Sequence, residues 1–223
     1  MSPADHGGEP VQLAEDPDPR VLRSRGAILD AATERFLEQG YVETSLDDVA
    51  LRAGVAKRTI YNVVGTKEVL FRAVLADVMT TAERYASQVV AKLGSTSDVD
   101  AELHDAAQRL ARTVLIGPVV PLRRLLICEA RRFPDLAQEY YQRAPGRVMD
   151  ALAEALRRYH EQGRLRVEDP VRSSEQFAFL ILGASLDRAL FSPTNDRKDA
   201  SLIEERARAG VELFLRAHRP ASK

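Results

Sequence analysis

The chain has little of the chemistry on which metal sites and covalent catalysts are built. Cys128 is the only cysteine among 223 residues, which excludes an intrachain disulfide and a four-thiolate metal site. The four histidines are scattered and show no spacing typical of a metal site or a catalytic triad. A glycine-rich phosphate loop is also missing, because Gly65-Thr66-Lys67 lacks the preceding spaced glycine and strand. We therefore predict no cofactor, no metal site and no enzymatic activity.

Long apolar segments are missing as well. No apolar run approaches the roughly 18 residues needed to cross a membrane, and the N-terminus lacks the basic-then-apolar order of a secretory signal. Apolar residues make up 45% of the chain and charged residues 29%, which are ordinary values for a soluble globular protein. We expect a cytoplasmic protein that makes no membrane contact.

A large excess of positive charge is missing too, and the charge is unevenly distributed. Residues 1–19 carry five acidic residues, four prolines and no Lys or Arg, and we interpret them as a disordered acidic tail. Because the whole chain has a net charge of −1, the rest carries +4, and the segment 20–76 carries only +2. A surface that binds nucleic acid must therefore arise from the arrangement of charges and not from their sum.

What the chain does contain is helical periodicity. Apolar residues recur at intervals of three and four from Arg20 to Gln39, and Gly40 follows where a left-handed cap ends a helix. The spacing predicts a second helix from about Leu46 to Ala53. Its first turn is capped by the hydroxyl of Ser45, with Asp48 reaching back as in a capping box.

Residues 45–64 have the spacing of a helix-turn-helix. Ala50 is small where two helices should cross, Gly54 suits a turn with positive φ, and the aliphatic Ile60 follows six residues later. A third helix is predicted from about Ala56 to Val63, and its apolar underside is extended by further valines: Val49, Val55 and Val63. An ordinary corner between two helices shares the glycine and the apolar stripe, so spacing alone leaves that alternative open.

The remainder of the chain is also helical. Thr66 caps a long fourth helix, and Asp169-Pro170 opens a helix that is apolar nearly all round. Ser201 with Glu204 is expected to cap the last helix. Breaks between the intervening helices are predicted at three dipeptides that contain proline: Gly117-Pro118, Phe133-Pro134 and Pro145-Gly146.

These patterns predict an all-α fold of two domains. A three-helix helix-turn-helix bundle would occupy residues 20–65, and a larger helical domain for ligand binding and dimerisation would occupy residues 66–217. Residues 218–223 would form a short C-terminal tail. The sequence shows no internal repeat and no strand-like segment.

The last two helices are predicted to pair with their copies about a two-fold axis. A helix that is apolar all round can cover its own core with one face and needs a partner for the other. Two such helices from each copy would form a four-helix interface. The residues assigned to that interface are Phe177, Ile181, Ala184, Phe191, Ile203, Val211 and Phe214. The alternative is that both helices lie inside a monomer.

The segment TSLDDVALRAGVAKRTIYNVVGTKEVL, at residues 44–70, resembles the DNA-binding signature of the tetracycline-repressor-like (TetR) family of bacterial regulators. The matching positions are Thr44-Ser45, Val49-Ala50, Ala53-Gly54-Val55, Thr59-Ile60-Tyr61 and Thr66-Lys67-Glu68. The resemblance covers about residues 25–74. It departs at Val63-Val64, where the family has His-Phe and one possible phosphate donor, and at Ala56, where the family has a capping Ser. Segments 123–156 and 163–170 resemble the regulatory domain of the AefR-like repressors.

The resemblance implies a ligand-responsive regulator, most simply a repressor, that binds a palindromic or near-palindromic operator as a homodimer and is released by a small molecule. The helix from Ala56 would lie in the major groove, where Arg58 can read guanine O6 and N7. The family positions at Thr44, Ser45 and Lys67 would hold phosphates. The full set of DNA-binding candidates is Arg25, Thr44, Ser45, Ala56, Lys57, Arg58, Thr59, Tyr61, Asn62 and Lys67.

The effector and its site are not identified by the sequence. Glu129 lies near an apolar stripe and is a candidate for lining a cavity, although a salt-bridged glutamate is the alternative. Cys128 is interpreted as an inert buried thiol. A helical ligand-binding or interaction protein without sequence-specific DNA binding also stays open, because the charge is near neutral and Val63-Val64 departs from the family. The sequence does not separate a repressor from an activator.

Overall fold

A computed structural model describes residues 19–91, 93–94, 98–117, 119–192 and 199–220, which form ten α-helices and no strand. The helices are α1 (Pro19–Glu43), α2 (Leu46–Ala53), α3 (Lys57–Val64), α4 (Lys67–Ala91), α5 (Val99–Leu115), α6 (Val119–Glu129), α7 (Pro134–Tyr141), α8 (Arg147–Glu161), α9 (Pro170–Phe191) and α10 (Ala200–His218). The all-α prediction is confirmed. Most of the predicted tails, at residues 1–18 and 221–223, lies outside the described residues. No helix in the described ranges is long and apolar enough to span a membrane.

The ends of the first two helices follow from local chemistry. Gly40 has φ 83° as predicted, but its ψ of 175° makes a kink, and one more helical turn follows before α1 ends at Glu43. The backbone N–H of Asp48 donates to Ser45 Oγ at 3.1 Å, which caps α2. The Ser45 hydroxyl and backbone N–H donate to the Asp48 carboxylate in return, and the hydroxyl bond in particular lowers the pKa of Asp48.

Two predicted helix boundaries in the second half are wrong. Asp199, not Ser201, caps α10, since its carboxylate accepts from the Ser201 and Leu202 backbone N–H groups and the Ser201 hydroxyl. Glu204 instead accepts a hydrogen bond from Arg112 Nε at 2.9 Å. Ser201 therefore donates hydrogen bonds to the capping carboxylate of Asp199, two residues earlier, and does not accept them as a cap would.

The predicted break at Pro145-Gly146 is also wrong. A π-helical turn, Gln142–Gly146, carries the chain from α7 into α8 without an interruption. A wider turn accommodates Pro145, which lacks the N–H that an α-helix would use there. Glycine suits position 146 because a Cβ there would make a tight contact of 3.0 Å with the Tyr141 carbonyl oxygen.

The buried residues form two hydrophobic clusters. The larger cluster is built mainly from α5, α8, α9 and α10. The other joins α1 to α4 with α6 and α7, since Leu122, Leu126 and Leu136 pack in the same cluster as Ile28 and Ile60. The core of the N-terminal bundle therefore does not stop at residue 65.

Four aromatic rings connect the N-terminal bundle to the loop between α6 and α7. Tyr41 on α1 lies edge-on to Phe133 at 5.0 Å and to Phe71 on α4 at 4.8 Å, measured between ring centroids. Phe36 completes the cluster at 5.1 Å from Phe71. Each such pair contributes about 0.5–1.5 kcal/mol beyond the area that it buries. These rings fix the position of α6 and α7 on the bundle.

Most of the residues predicted for the dimer interface are buried inside this chain. Five of its seven residues are at most 9% exposed and belong to the larger cluster of this chain, so their side chains cannot face a partner: Phe177, Ile181, Ile203, Val211 and Phe214. Ala184 is exposed, and Phe191 is 86% exposed. The apolar residues that α9 and α10 do present outward include Phe179, Leu180, Leu202 and Leu213.

Candidate nucleic-acid interface

The turn between α2 and α3 holds the two helices at a fixed angle. Gly54 has φ 66° and ψ 28°, and its backbone N–H faces the carbonyl groups of Ala50 and Leu51. The next N–H, of Val55, donates to the Ala50 carbonyl at 3.0 Å. Ala50 is 1% exposed, so a larger side chain there would push the helices apart. The predicted helix-turn-helix geometry is present.

One face of α3 is anchored in the core. Ile60 is completely buried, which stabilises the helix position by roughly 1.5–3 kcal/mol. Val63 and Val64 are half-buried and pack against the same cluster, so the two valines retain the packing role of the family's His-Phe pair. Ala56 occupies the N-cap position of α3 and provides no side-chain cap, as expected from the loss of the hydroxyl.

The opposite face of α3 is polar and open. Lys57, Arg58 and Asn62 are exposed, and Tyr61 is 50% exposed. Thr59 is half-buried at the edge of this face. A helix of this length that presents a polar face and buries the other has the form of a recognition helix. The structure thus brings together Lys57, Arg58, Tyr61 and Asn62, as the sequence predicted.

The two cations of this face differ in their environment. Lys57 Nζ lies 2.6 Å from Asp47 Oδ2, and this hydrogen bond raises the pKa of Lys57. Both partners are exposed, with 71% of the Lys57 side chain and 44% of the Asp47 side chain open to solvent. Arg58 forms no ion pair or hydrogen bond with any residue in the described ranges. Sequence reasoning missed Asp47, because its partner is ten residues away and on another helix.

The structure contradicts the phosphate contact assigned to the Thr44 side chain. Thr44 is 1% exposed, and its hydroxyl donates to the Gly40 carbonyl at 2.7 Å. That bond satisfies the carbonyl at the kink of α1, which explains why a hydroxyl is needed there. Ser45 is exposed, but its hydroxyl is already shared with Asp48.

Lys67 and Arg25 are two further residues for which the sequence predicts contacts with DNA. The Lys67 ammonium donates to the Val42 carbonyl at 2.9 Å and lies 4.7 Å above the Tyr41 ring. It therefore ties the start of α4 to the end of α1 and has donors left for a phosphate. Arg25 is exposed on α1. Its contact with DNA stays a prediction.

Two arginines connect α4 with the rest of the chain. Arg72 forms ion pairs with Glu68 at 3.1 Å and with Asp135 on α7 at 2.6 Å. Further along α4, Glu83 pairs with Arg143 at 3.0 Å, and this bond lowers the pKa of the Glu83 carboxylate. These pairs attach α4 to α7 and to the π-helical turn.

Glu129, the candidate for lining an effector cavity, and Cys128 lie next to each other at the end of α6. Glu129 pairs with Arg132 at 3.7 Å, with 12% of its side chain exposed, which fits the salt-bridge alternative. Cys128 is exposed, so its interpretation as a buried thiol is wrong. The residues that the structure describes contain no cluster of His, Cys, Asp and Glu able to hold a metal ion.

Comparisons with known proteins agree with this geometry. Residues 28–74 match the model of the tetR family of bacterial regulatory proteins, and residues 101–220 match the AefR-like transcriptional repressor C-terminal domain. The HTH-type transcriptional regulator YezE of Bacillus subtilis is 30% identical over 145 residues, which cover 64% of this chain and 73% of that protein.

Two further comparisons extend the match. The HTH-type transcriptional repressor Rv3405c of Mycobacterium tuberculosis is 34% identical over 114 residues, which cover 50% of this chain and 54% of that protein. A crystal structure of a TetR-family regulator from Mesorhizobium loti superposes with a TM-score of 0.80 at 27% identity, over 91% of this chain and 100% of that one.

Proposed function

The chain belongs to the tetR family of bacterial regulatory proteins, and we propose that it is a repressor that binds a palindromic or near-palindromic operator as a homodimer and leaves it when a small molecule binds. Its family consists of transcriptional regulators and not of enzymes. The observation that carries the proposal is the open polar face of α3. Repression in particular is supported by the similarity to Rv3405c, which is a repressor, and to the AefR-like domain.

Arg58 is proposed as the main base-reading residue. Its guanidinium is exposed and unpaired among the described residues, so it can turn toward a base edge without breaking a contact in the protein. A bidentate pair with guanine O6 and N7 discriminates by about 1–3 kcal/mol against other bases. Tyr61 and Asn62, on the same face, would reach the backbone or an adenine edge.

The operator should be found by selection from a pool of random duplexes, followed by mobility-shift titration of the selected site and of random DNA. Arg58→Ala is expected to weaken operator binding roughly 5- to 150-fold for each half-site that it reads, and to weaken binding to random DNA far less. Arg166→Ala, which removes an exposed arginine between α8 and α9, is the control. Equal losses on both DNAs would count against base reading. Failure to select any sequence would support the alternative, a helical ligand-binding or interaction protein without sequence-specific DNA binding.

A homodimer is supported by the outward faces of α9 and α10. Phe179 is 75% exposed and Leu213 is 55% exposed, although they lie on helices whose other faces are fully buried. Leu180, Phe191 and Leu202 add to the exposed apolar surface. A four-helix interface between two copies would cover these residues and hold two α3 helices about one turn of DNA apart, roughly 34–36 Å.

The dimer can be tested by sedimentation. Phe179→Asp is expected to produce a folded monomer that no longer binds the operator tightly. Ile127→Asp, at an apolar residue that is 63% exposed on α6, is the control for charge on an exposed apolar site. A Phe179→Asp protein that remains dimeric would remove α9 from the interface.

The response to an effector would pass through α4. This helix begins beside the recognition helix, and the pairs of Arg72 with Asp135 and of Glu83 with Arg143 attach it to α7 and the π-helical turn. A ligand that favours one position of α4 would change the spacing of the two α3 helices and so shift the dimer between bound and free states.

A further inference from the structure

Within the part of the chain that the structure describes, Asp47 is the acidic residue that forms an ion pair with a cation of α3. Its Oδ2 lies 2.6 Å from Lys57 Nζ, whereas Ser45 and Asp48 perform the capping of α2. Asp47 makes no other polar contact with a residue in the described ranges. Asp47 lies in the first turn of α2, where a carboxylate suits the helix dipole, but the helix cap does not use it and its one direct partner is Lys57.

We propose that Asp47 is a specificity-determining residue, which holds the Lys57 ammonium on the protein so that this cation adds little to the binding of DNA without an operator. The proposal rests on the proposed function, since it assumes that α3 faces DNA. When α3 is not fully inserted into the major groove, as on random DNA, Lys57 would have to leave Asp47 to reach a phosphate. An ammonium has three donors, so a fully seated helix allows Lys57 to keep Asp47 and also contact the operator.

The charge of the N-terminal region makes one cation important. Segment 20–76 has a net charge of only +2, and neutralising Asp47 raises it to +3, so a single charge changes the field on the DNA side appreciably. Each phosphate neutralised by a cation contributes about 0.9 to the slope of log K against log salt, which is roughly an eightfold affinity gain at about 0.1 M salt. Non-specific binding depends almost entirely on such contacts.

The test measures binding of labelled random duplex by fluorescence anisotropy over a series of salt concentrations. Because an ion pair this exposed is weak, Asp47→Asn is expected to raise the affinity by up to roughly fivefold per bound copy at about 0.1 M salt and to steepen the salt slope by up to about 0.9. The gain on the selected operator should be smaller, so the ratio of specific to non-specific affinity falls. Asp150→Asn, which removes a carboxylate from the first turn of α8, is the matched control and should change neither quantity.

A double-mutant cycle separates the proposed route from simple repulsion between Asp47 and DNA. If Asp47 acts through Lys57, Asp47→Asn gains almost nothing when Lys57→Gln is already present. The same gain in both backgrounds would overturn the proposal, and so would no gain in either. An operator gain as large as the random-DNA gain would remove the role in specificity. These measurements on random DNA remain interpretable if no operator is found, which would contradict the proposed function alone.

Discussion

Gly210 lies on α10 where this helix crosses α9, and the crossing leaves no space for a side chain. A Cβ at this position would lie 2.9 Å from the Leu180 carbonyl oxygen and 3.4 Å from the Ile181 nitrogen. Both atoms belong to the backbone and cannot rotate away as a side chain would. We therefore expect Gly210→Ala to force the two helices apart.

Two effects of opposite sign decide the magnitude. Alanine is favoured over glycine in a helix by about 1 kcal/mol. Overpacking a close contact costs about 1–3 kcal/mol, and a rigid backbone obstacle favours the upper half of that range. The expected net loss in free energy of unfolding is therefore about 1–2 kcal/mol. Gly26 on α1 is the matched control, because a Cβ there has no neighbour within 4 Å. Gly26→Ala should stabilise by up to about 1 kcal/mol.

The assay is urea-induced unfolding followed by circular dichroism at several protein concentrations, because the stability of the proposed dimer would depend on concentration. Gly210→Ala should unfold at lower urea than the parent protein, and Gly26→Ala at equal or higher urea. Gly210→Ala should also weaken dimerisation, since α9 and α10 carry the exposed apolar residues. If the two variants are equally stable, the close crossing does not exist in solution and the reasoning fails.

Three further predictions concern the cores and a cap. Phe133→Ala removes a ring that is 5% exposed and lies 5.0 Å from the Tyr41 ring, so the free energy of unfolding, measured by thermal unfolding, should fall by about 3–5 kcal/mol. A loss below about 1 kcal/mol would contradict this packing. The Tyr159 hydroxyl and the Gly94 N–H both donate to the buried Glu102 carboxylate, so Tyr159→Phe should lower the free energy of unfolding in urea by about 1–3 kcal/mol. An unchanged urea midpoint would argue against the hydrogen bond from Tyr159 to Glu102. The pKa of Asp48 is lowered from 3.8, so the stability that its cap contributes is present above pH 3.8 and is lost as the pH falls through the lowered value. Asp48→Asn should therefore reduce the acid sensitivity of unfolding, and an unchanged stability profile below pH 4 would refute the assignment.

Features that depend on a few neighbouring residues could be predicted from the sequence. Ser45 caps α2, Gly54 has the positive φ that the turn requires, and Asp169-Pro170 opens α9, each because side chain and backbone interact within three or four residues. The polar face of α3 was predictable for the same reason. A buried Ile60 leaves only one side of a short helix available to DNA.

Features that depend on distant packing could not be predicted. The pattern of α9 is apolar nearly all round, so nothing local distinguishes the inward Phe177 from the outward Phe179. Thr44 matches a phosphate-binding position of the family, but the kink at Gly40 recruits its hydroxyl for the chain's own backbone. The pair between Asp47 and Lys57 exists because two helices cross at a particular angle, which is visible in the structure alone.

The packing of α6 and α7 against the DNA-reading bundle limits how this regulator can be recombined. Leu126, Phe133 and Leu136 belong to the same buried cluster as Phe36 and Ile60. In a chimera joined after residue 65, about half of that cluster would be lost and the other half would pack against foreign side chains. Exchange of operator preference between relatives should therefore succeed when only the outer face of α3 is transplanted, or when the whole segment through α7 moves together.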